Sequence, residues 1–199
     1  KKESNRNNAN MIILGTSGSG KSTAAKLILR SHIRNGYQIV AVDPEGEISE
    51  MTKMYGGTVV DLGKGGEFGM VNPLEILVDA DDEELRNGMG NTVLTKTLQT
   101  LKAFMKYYDP EIEEDVLTLF IGIVQDTYER FGINFQTDFS RFKPENYPTF
   151  SDVYATVYGK LTSLTEKTHE RDVLERLELK IRPFVRELKF YFNGHTSIT

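Results

Sequence analysis

Residues 15–22 read GTSGSGKS, which matches G-x-x-x-x-G-K-[S/T] at every fixed position. The apolar run MIIL (11–14) comes directly before it, and helical periodicity begins at Lys21. Strand, glycine-rich loop and helix, in that order, form the setting in which this pattern cradles phosphate. The residue types follow from the chemistry. Gly15, Gly18 and Gly20 let the backbone curl until successive N–H groups through Thr16, Ser17 and Ser19 face one anion. The helix opening at Lys21 adds its unpaired N–H groups and the positive end of its dipole. Lys21 is placed to reach the β- and γ-phosphates, Ser22 to offer a hydroxyl to Mg²⁺, and Thr23 to touch the α-phosphate. The expected ligand is ATP with Mg²⁺. A dinucleotide pattern, G-x-G-x-x-G, is not met, because Thr23 stands three residues after Gly20.

From Met11 to about Leu77, short β-prone runs (MIIL, QIVAV at 38–42, TVVDL at 58–62) alternate with helical or glycine-rich stretches. That alternation predicts an α/β fold, with a parallel sheet as the core of a P-loop NTPase. The first helix carries Ala24, Leu27, Ile28 and Ile33 on one face and stops at Asn35-Gly36. From about Asp81 the pattern turns helical. Asp81 and Glu84 read as a capping box, followed by Leu85, Met89, Val93, Leu94, Leu98, Leu101 and Met105 at helical spacing. Asp109-Pro110 breaks the run, and Ile112 to Phe131 form the apolar face of a second helix. Residues 132–148 read as a loop. A third helix is capped by Thr149 with Asp152, and a fourth from about Glu170 contains Pro183, which predicts a kink or two shorter helices. The expected organisation is an NTPase core over 1–78, an inserted all-helical subdomain over 79–192, and a return strand over 193–199.

Composition narrows the chemistry. The 199 residues include no cysteine, which excludes disulfides, thiolate catalysis and cysteine zinc sites. The three histidines, His32, His169 and His195, are too far apart in sequence to form a local metal site. A net charge of −5 gives no overall attraction to nucleic acid. No apolar run approaches the ~20 residues needed to span a bilayer, and no segment reads as a signal peptide. The expectation is a soluble, cytoplasmic chain. The polar opening KKESNRNNAN and the ending NGHTSIT read as the edges of an excised piece of a longer protein.

A second acidic cluster, Asp43-Pro44-Glu45-Gly46-Glu47, follows the second β-prone run. At the C-terminal end of a strand beside a phosphate loop, Glu47 or Glu45 would orient attacking water and Asp43 would support Mg²⁺ from behind. Equally, Asp43 and Pro44 shape a turn and Glu47 sits in the first turn of a helix. Other groups have plainer readings. Lys64 among Gly63, Gly65 and Gly66 reads as a flexible connection, Asn72-Pro73 as a turn, and Arg171, Arg176, Arg182 and Arg186 as a solvated helix face rather than arginine fingers.

Taken in order, the loop from Asn10, D-P-E-G-E at 43–47, Gly56-Gly57, V-x-D-L-G and Asn72-Pro73 resemble the VirB-four/TraC/TrbE ATPases, of the HerA/FtsK-like P-loop motor superfamily. The resemblance covers about the first 75 residues. It implies a RecA-like motor domain that hydrolyses ATP to energise type IV secretion and conjugative transfer of protein or DNA. It further implies a homo-oligomer, a hexamer in the full protein, working with other secretion components at the inner face of the cell membrane. Gly15 to Thr23 take the nucleotide-binding role, with Lys21, Asp43 and Glu47 catalytic. The family's Walker B strand and late arginines should follow the helical block, so hydrolysis by residues 1–199 alone is expected to be impaired. The competing readings are a DNA-translocating coupling-protein or FtsK-like ATPase, a P-loop metabolite kinase, and a module whose helices dock partners without catalysis.

Overall fold

A computed structural model describes residues 10–77 and 90–197, which divide into two units at residue 59/60. In the first unit, an extended stretch leads into helix α1 (Lys21–Arg34), and helix α2 (Ser49–Met54) follows a second extended stretch and a turn. α1 ends where the sequence places its stop. The Asn35 N–H reaches the Ser31 and His32 carbonyls, and Gly36 takes the left-handed φ of 80° that closes the helix.

The expected parallel sheet is not formed, and the described residues contain no strand. The runs 11–14, 38–42 and 58–62 lie extended, but no backbone hydrogen bond joins the described residues of one run to another. Their side chains are left in solvent: Leu14, Val40 and Val42 are 87%, 98% and 92% exposed. The physical reason is that β propensity describes how a residue fits an already paired, pleated surface. A strand exists only where a neighbour takes up its N–H and C=O groups. On the apolar face of α1 Leu27 is exposed and Ala24, Ile28 and Ile33 are only half-buried, and Met51 is the one buried hydrophobic among residues 10–59.

The second unit is helical. Helices α3 (Gly90–Tyr108), α4 (Glu114–Arg130), α5 (Phe150–Ser163), α6 (His169–Val185) and the short α7 (Lys189–Phe192) enclose a continuous apolar core. The periodicity read from sequence is the buried face: Val93, Leu94, Leu98, Leu101 and Met105 on α3, Val116, Phe120, Ile123 and Val124 on α4, and Leu174, Leu177, Ile181 and Phe184 on α6. Phe131, placed on that face by spacing, is 40% exposed, because α4 ends at Arg130. At the centre, the Phe150 and Phe184 rings stack with centroids 4.3 Å apart, and Phe104 closes on Phe184 at 5.6 Å. α6 packs against both α4 and α5. The Asp81/Glu84 cap, Leu85 and Met89 lie outside the described residues.

Two stretches read as connections are built into this core. The loop 132–148 contains two 3₁₀ turns, Phe139–Arg141 and Pro144–Asn146, and buries Ile133, Phe139 and Tyr147. The glycine-rich stretch after Asp61 is a close-packed crossing rather than a flexible tether. A Cβ on Gly65 would sit 2.4 Å from the Phe190 carbonyl oxygen, and one on Gly69 2.4 Å from that of Asp61. Lys64 pairs with Asp61 at 3.2 Å. α5 starts as expected, with Asp152 accepting from both the N–H and the hydroxyl of Thr149. α6 ends two residues beyond Pro183, whose carbonyl accepts the Leu188 N–H at 2.8 Å.

Asn72-Pro73 forms the expected turn, with Glu75 N–H bonding back to the Asn72 carbonyl at 3.0 Å. It does more than connect. The Asn72 side chain is buried, donates to the Pro148 carbonyl at 2.9 Å and accepts from Leu74 N–H at 3.1 Å, while its own N–H reaches Thr196 Oγ1 at 3.0 Å. Tyr128 donates its hydroxyl to the Leu74 carbonyl at 2.7 Å from inside the core, and burial pushes that phenol's pKa up. Residues 193–197 run back beside 66–72, held by Ser197 N–H to the Met70 carbonyl at 3.2 Å, without forming the return strand.

The arginines of α6 are structural ion pairs. Arg176 meets Glu113 and Asp115 at the start of α4, Arg171 meets Glu175 and the carbonyls ending α5, and Arg182 pairs with Glu178. Glu178 is buried, and the Arg182 guanidinium, with a Tyr154 hydroxyl at 2.5 Å, holds its carboxyl below the usual range. A depressed pKa stabilises the fold above the ordinary glutamate value and loses that contribution as pH falls through the lower folded value. As pH falls below the ordinary glutamate range, the thermal midpoint of the wild type should therefore fall more steeply than that of Glu178→Gln. Tyr128→Phe, which strands the Leu74 carbonyl, should cost about 1–3 kcal/mol in a urea titration.

Candidate phosphate-binding site

The first unit places the GTSGSGKS residues as one turn feeding a helix. Gly18 and Gly20 adopt φ of 76° and 86°, a region where other L-residues are strained. Gly20 is the N-cap of α1, and the first intrahelical bond runs from Ala24 N–H to the Gly20 carbonyl at 2.9 Å. The N–H groups of Lys21, Ser22 and Thr23 therefore have no partner within the helix and sit at its positive end. Ser19 N–H closes the turn on the Thr16 carbonyl at 3.2 Å. No acidic residue occupies the first turn of α1 to compete for an anion.

Gly15 lies against the side chains of Ser19 and Lys21. A Cβ there would lie 2.4 Å from Ser19 Oγ and 3.2 Å from Lys21 Cγ, so any side chain would intrude on the concavity that the loop encloses. The Lys21 ammonium folds back and donates to the Thr16 carbonyl at 2.8 Å. Loop residues 15–20 are exposed, and Lys21 and Ser22 are half-buried. This donor set fits a polyphosphate: backbone N–H groups in a curl, one cation with a flexible stem, and a hydroxyl next to it. For Mg²⁺, the described residues contain no group of three or more acidic or histidine side chains able to hold a metal unaided. A cation here would be shared between Ser22 and the phosphates.

The acidic cluster is a turn. Asp43 Oδ2 accepts the Ile48 N–H at 2.8 Å, and Gly46 N–H bonds to the Asp43 carbonyl at 3.2 Å with φ of 70°. Glu45 and Glu47 are exposed, and Glu47 precedes α2, whose first turn holds Glu50 instead. Two partners were not legible in the motifs. These are the Thr16 carbonyl, where Lys21 rests, and the Ile48 amide, which holds Asp43. Neither carries a side-chain signal, since both act through the backbone.

The loop, its helix and the helical unit that follows define a class. The chain belongs to the family described as Helicase HerA, central domain, whose model matches residues 8–198, and these are P-loop ATPases. Among solved structures it is similar to VirB4 of Thermoanaerobacter pseudethanolicus, at 24% identity and a TM-score of 0.82. The match covers 100% of this chain and 49% of that one, so this chain spans about half the length of that relative. No curated protein matches the chain. The resemblance carried by residues 10–73 thus holds at the level of family, while the sheet it implies is not formed among the described residues. Among the described residues, no helix is long and apolar enough to cross a membrane.

Nothing lies within 4 Å of a Cβ added at Gly20, so the cost of Gly20→Ala is backbone strain alone, about 1–2 kcal/mol. That variant should weaken binding of a fluorescent ATP analogue about tenfold or somewhat more, with the far-UV helical signal unchanged.

Proposed function

We propose that this chain binds Mg²⁺-ATP through Gly15 to Thr23 and that the complete protein hydrolyses it to drive type IV secretion, moving protein or DNA in conjugative transfer. The observation that carries this reading is the loop itself. Gly18 and Gly20 hold left-handed turns, Gly15 leaves the concavity clear, and the unpaired first turn of α1 follows. Family membership supports the ATPase part, and the fold shared with VirB4 supports the secretion part.

In this reading Lys21 exchanges the Thr16 carbonyl for the β- and γ-phosphates, Ser22 joins the shell of Mg²⁺, and the amides from Thr16 to Thr23 cradle the remaining oxygens. Bound ATP supplies the transferable phosphoryl group, and Mg²⁺ offsets its charge. Asp43, occupied by the Ile48 amide, is a positioning residue that shapes its turn, and exposed Glu47 is the carboxylate available to orient water. Residues 1–78 carry the nucleotide site, residues 79–192 a helical subdomain, and residues 193–199 a return to the core. The working form is a homo-oligomer, a hexamer, at the cytoplasmic face of the membrane with other secretion components.

Lys21→Ala tests the proposal. Loss of one charge-assisted contact, about 1.5–3 kcal/mol, should weaken Mg²⁺-dependent ATP binding by roughly ten- to a hundredfold in calorimetry. It should also abolish ATP turnover by the complete protein. Binding that survives Lys21→Ala unchanged would overturn the assignment.

A further inference from the structure

The helical unit lines a half-open, mostly apolar cavity of about 380 Å³ between the Asn72-Pro73 turn, one face of α3 and Phe192. Its volume falls in the range of small-ligand sites. What singles it out is its polar lining. Glu75 Oε2 is buried and has no hydrogen-bond partner among the described residues. Thr97 and Thr100 also line the cavity, and each has spent its hydroxyl proton on a helix carbonyl, Val93 and Lys96 respectively, at 3.0 Å. Both hydroxyl oxygens are left as acceptors. Lys96, the basic residue in the lining, is already engaged. Among the described residues, the cavity thus presents acceptors in an apolar setting, and no donor reaches Glu75 Oε2.

A buried carboxylate oxygen without a donor is costly, and a cation that brings N–H groups removes that cost. Leu101, Phe104 and Phe192 meanwhile offer contact for a hydrocarbon body. Glu75 is positioned for this by its turn, since Leu74 and Ile76 on either side are buried in the core. Its charge is also felt inside the unit: the Tyr147 phenol is pushed up to about 12, first by burial and then by Glu75.

We propose that this cavity binds an amphipathic organic cation, an ammonium or guanidinium head on an apolar stem, with the head paired to Glu75 and accepted by Thr97 and Thr100. The stem lies against Phe104 and Phe192. Two sources share this chemistry, a free alkylamine or alkylguanidine and an arginine side chain flanked by apolar residues on a peptide.

Hexylguanidinium chloride, neutral hexylurea and a capped Leu-Arg-Leu peptide, each titrated into the 199-residue chain and followed by NMR shifts and calorimetry, test it. Saturable binding of hexylguanidinium or the peptide is expected, with a Kd of about 1 mM or tighter for a ligand of this size. Glu75→Gln should weaken it tenfold or more, Thr100→Val should weaken it less, and hexylurea should bind poorly to all. Glu75→Gln should leave thermal stability equal or raised, since it takes charge off a buried oxygen that no described donor reaches, so the loss of binding is separable from a loss of fold. Saturation by the peptide alone would assign the site to a partner's arginine, and saturation by hexylguanidinium alone to a free cation, each in support. Equal binding of hexylurea, binding unaffected by Glu75→Gln, or no saturation by either cation up to about 10 mM would overturn the proposal.

Discussion

The helical unit depends on one buried amide. Asn72 is 3% exposed, and through its side chain and its own N–H it reaches Leu74, Pro148 and Thr196. Three stretches far apart in sequence are thereby tied at one point. Only a side chain with a donor and an acceptor on one short stem can serve both Pro148 and Leu74; aspartate would lack the donor and leucine both. The turn it fixes delivers Leu74 and Ile76 to the core, where Tyr128 meets the Leu74 carbonyl. The same turn sends Glu75 the other way, into the cavity against α3. Core and cavity thus share a single cause.

Legibility followed the range of the interactions. Helices α3 to α6 were readable because spacing, caps and breakers act within a few residues. Thr149 with Asp152, Asp109-Pro110 and Asn35-Gly36 each behave as their local chemistry dictates. The sheet was not readable in the same sense. Val40 and Val42 have strand propensity, yet propensity does not provide a neighbouring backbone, and these residues remain in solvent. Glycine was ambiguous for a related reason. At Gly18 and Gly20 it signals a backbone angle. At Gly65 and Gly69 it signals a nearby carbonyl that only the folded chain reveals. Composition alone reads both as slack.

The conformation of residues 15–23 was legible nearly whole, because it is local: a curl, a cation and a helix end within nine residues of sequence. The acidic cluster was less so. Asp43 could have faced a metal or its own turn, and the outcome rests on the amide of Ile48, five residues on, which no side-chain pattern marks. Glu75 carried no motif at all. Its standing comes from an oxygen left without a donor, which exists only once the walls around it are in place.

The way residues 193–197 lie back along 66–72 has a mechanical consequence. Ser197 N–H bonds to the Met70 carbonyl, Met70 N–H to Ser197 Oγ, and Ser197 Oγ–H to the Gly66 carbonyl, so the chain enters and leaves the helical unit side by side. A pull applied between residues 60 and 197 loads this clasp before it loads the Phe150–Phe184 stack. The unit therefore behaves like a hinged purse, whose catch gives way while its contents stay packed. Such a unit can be displaced at the expense of a few half-buried hydrogen bonds rather than of its core.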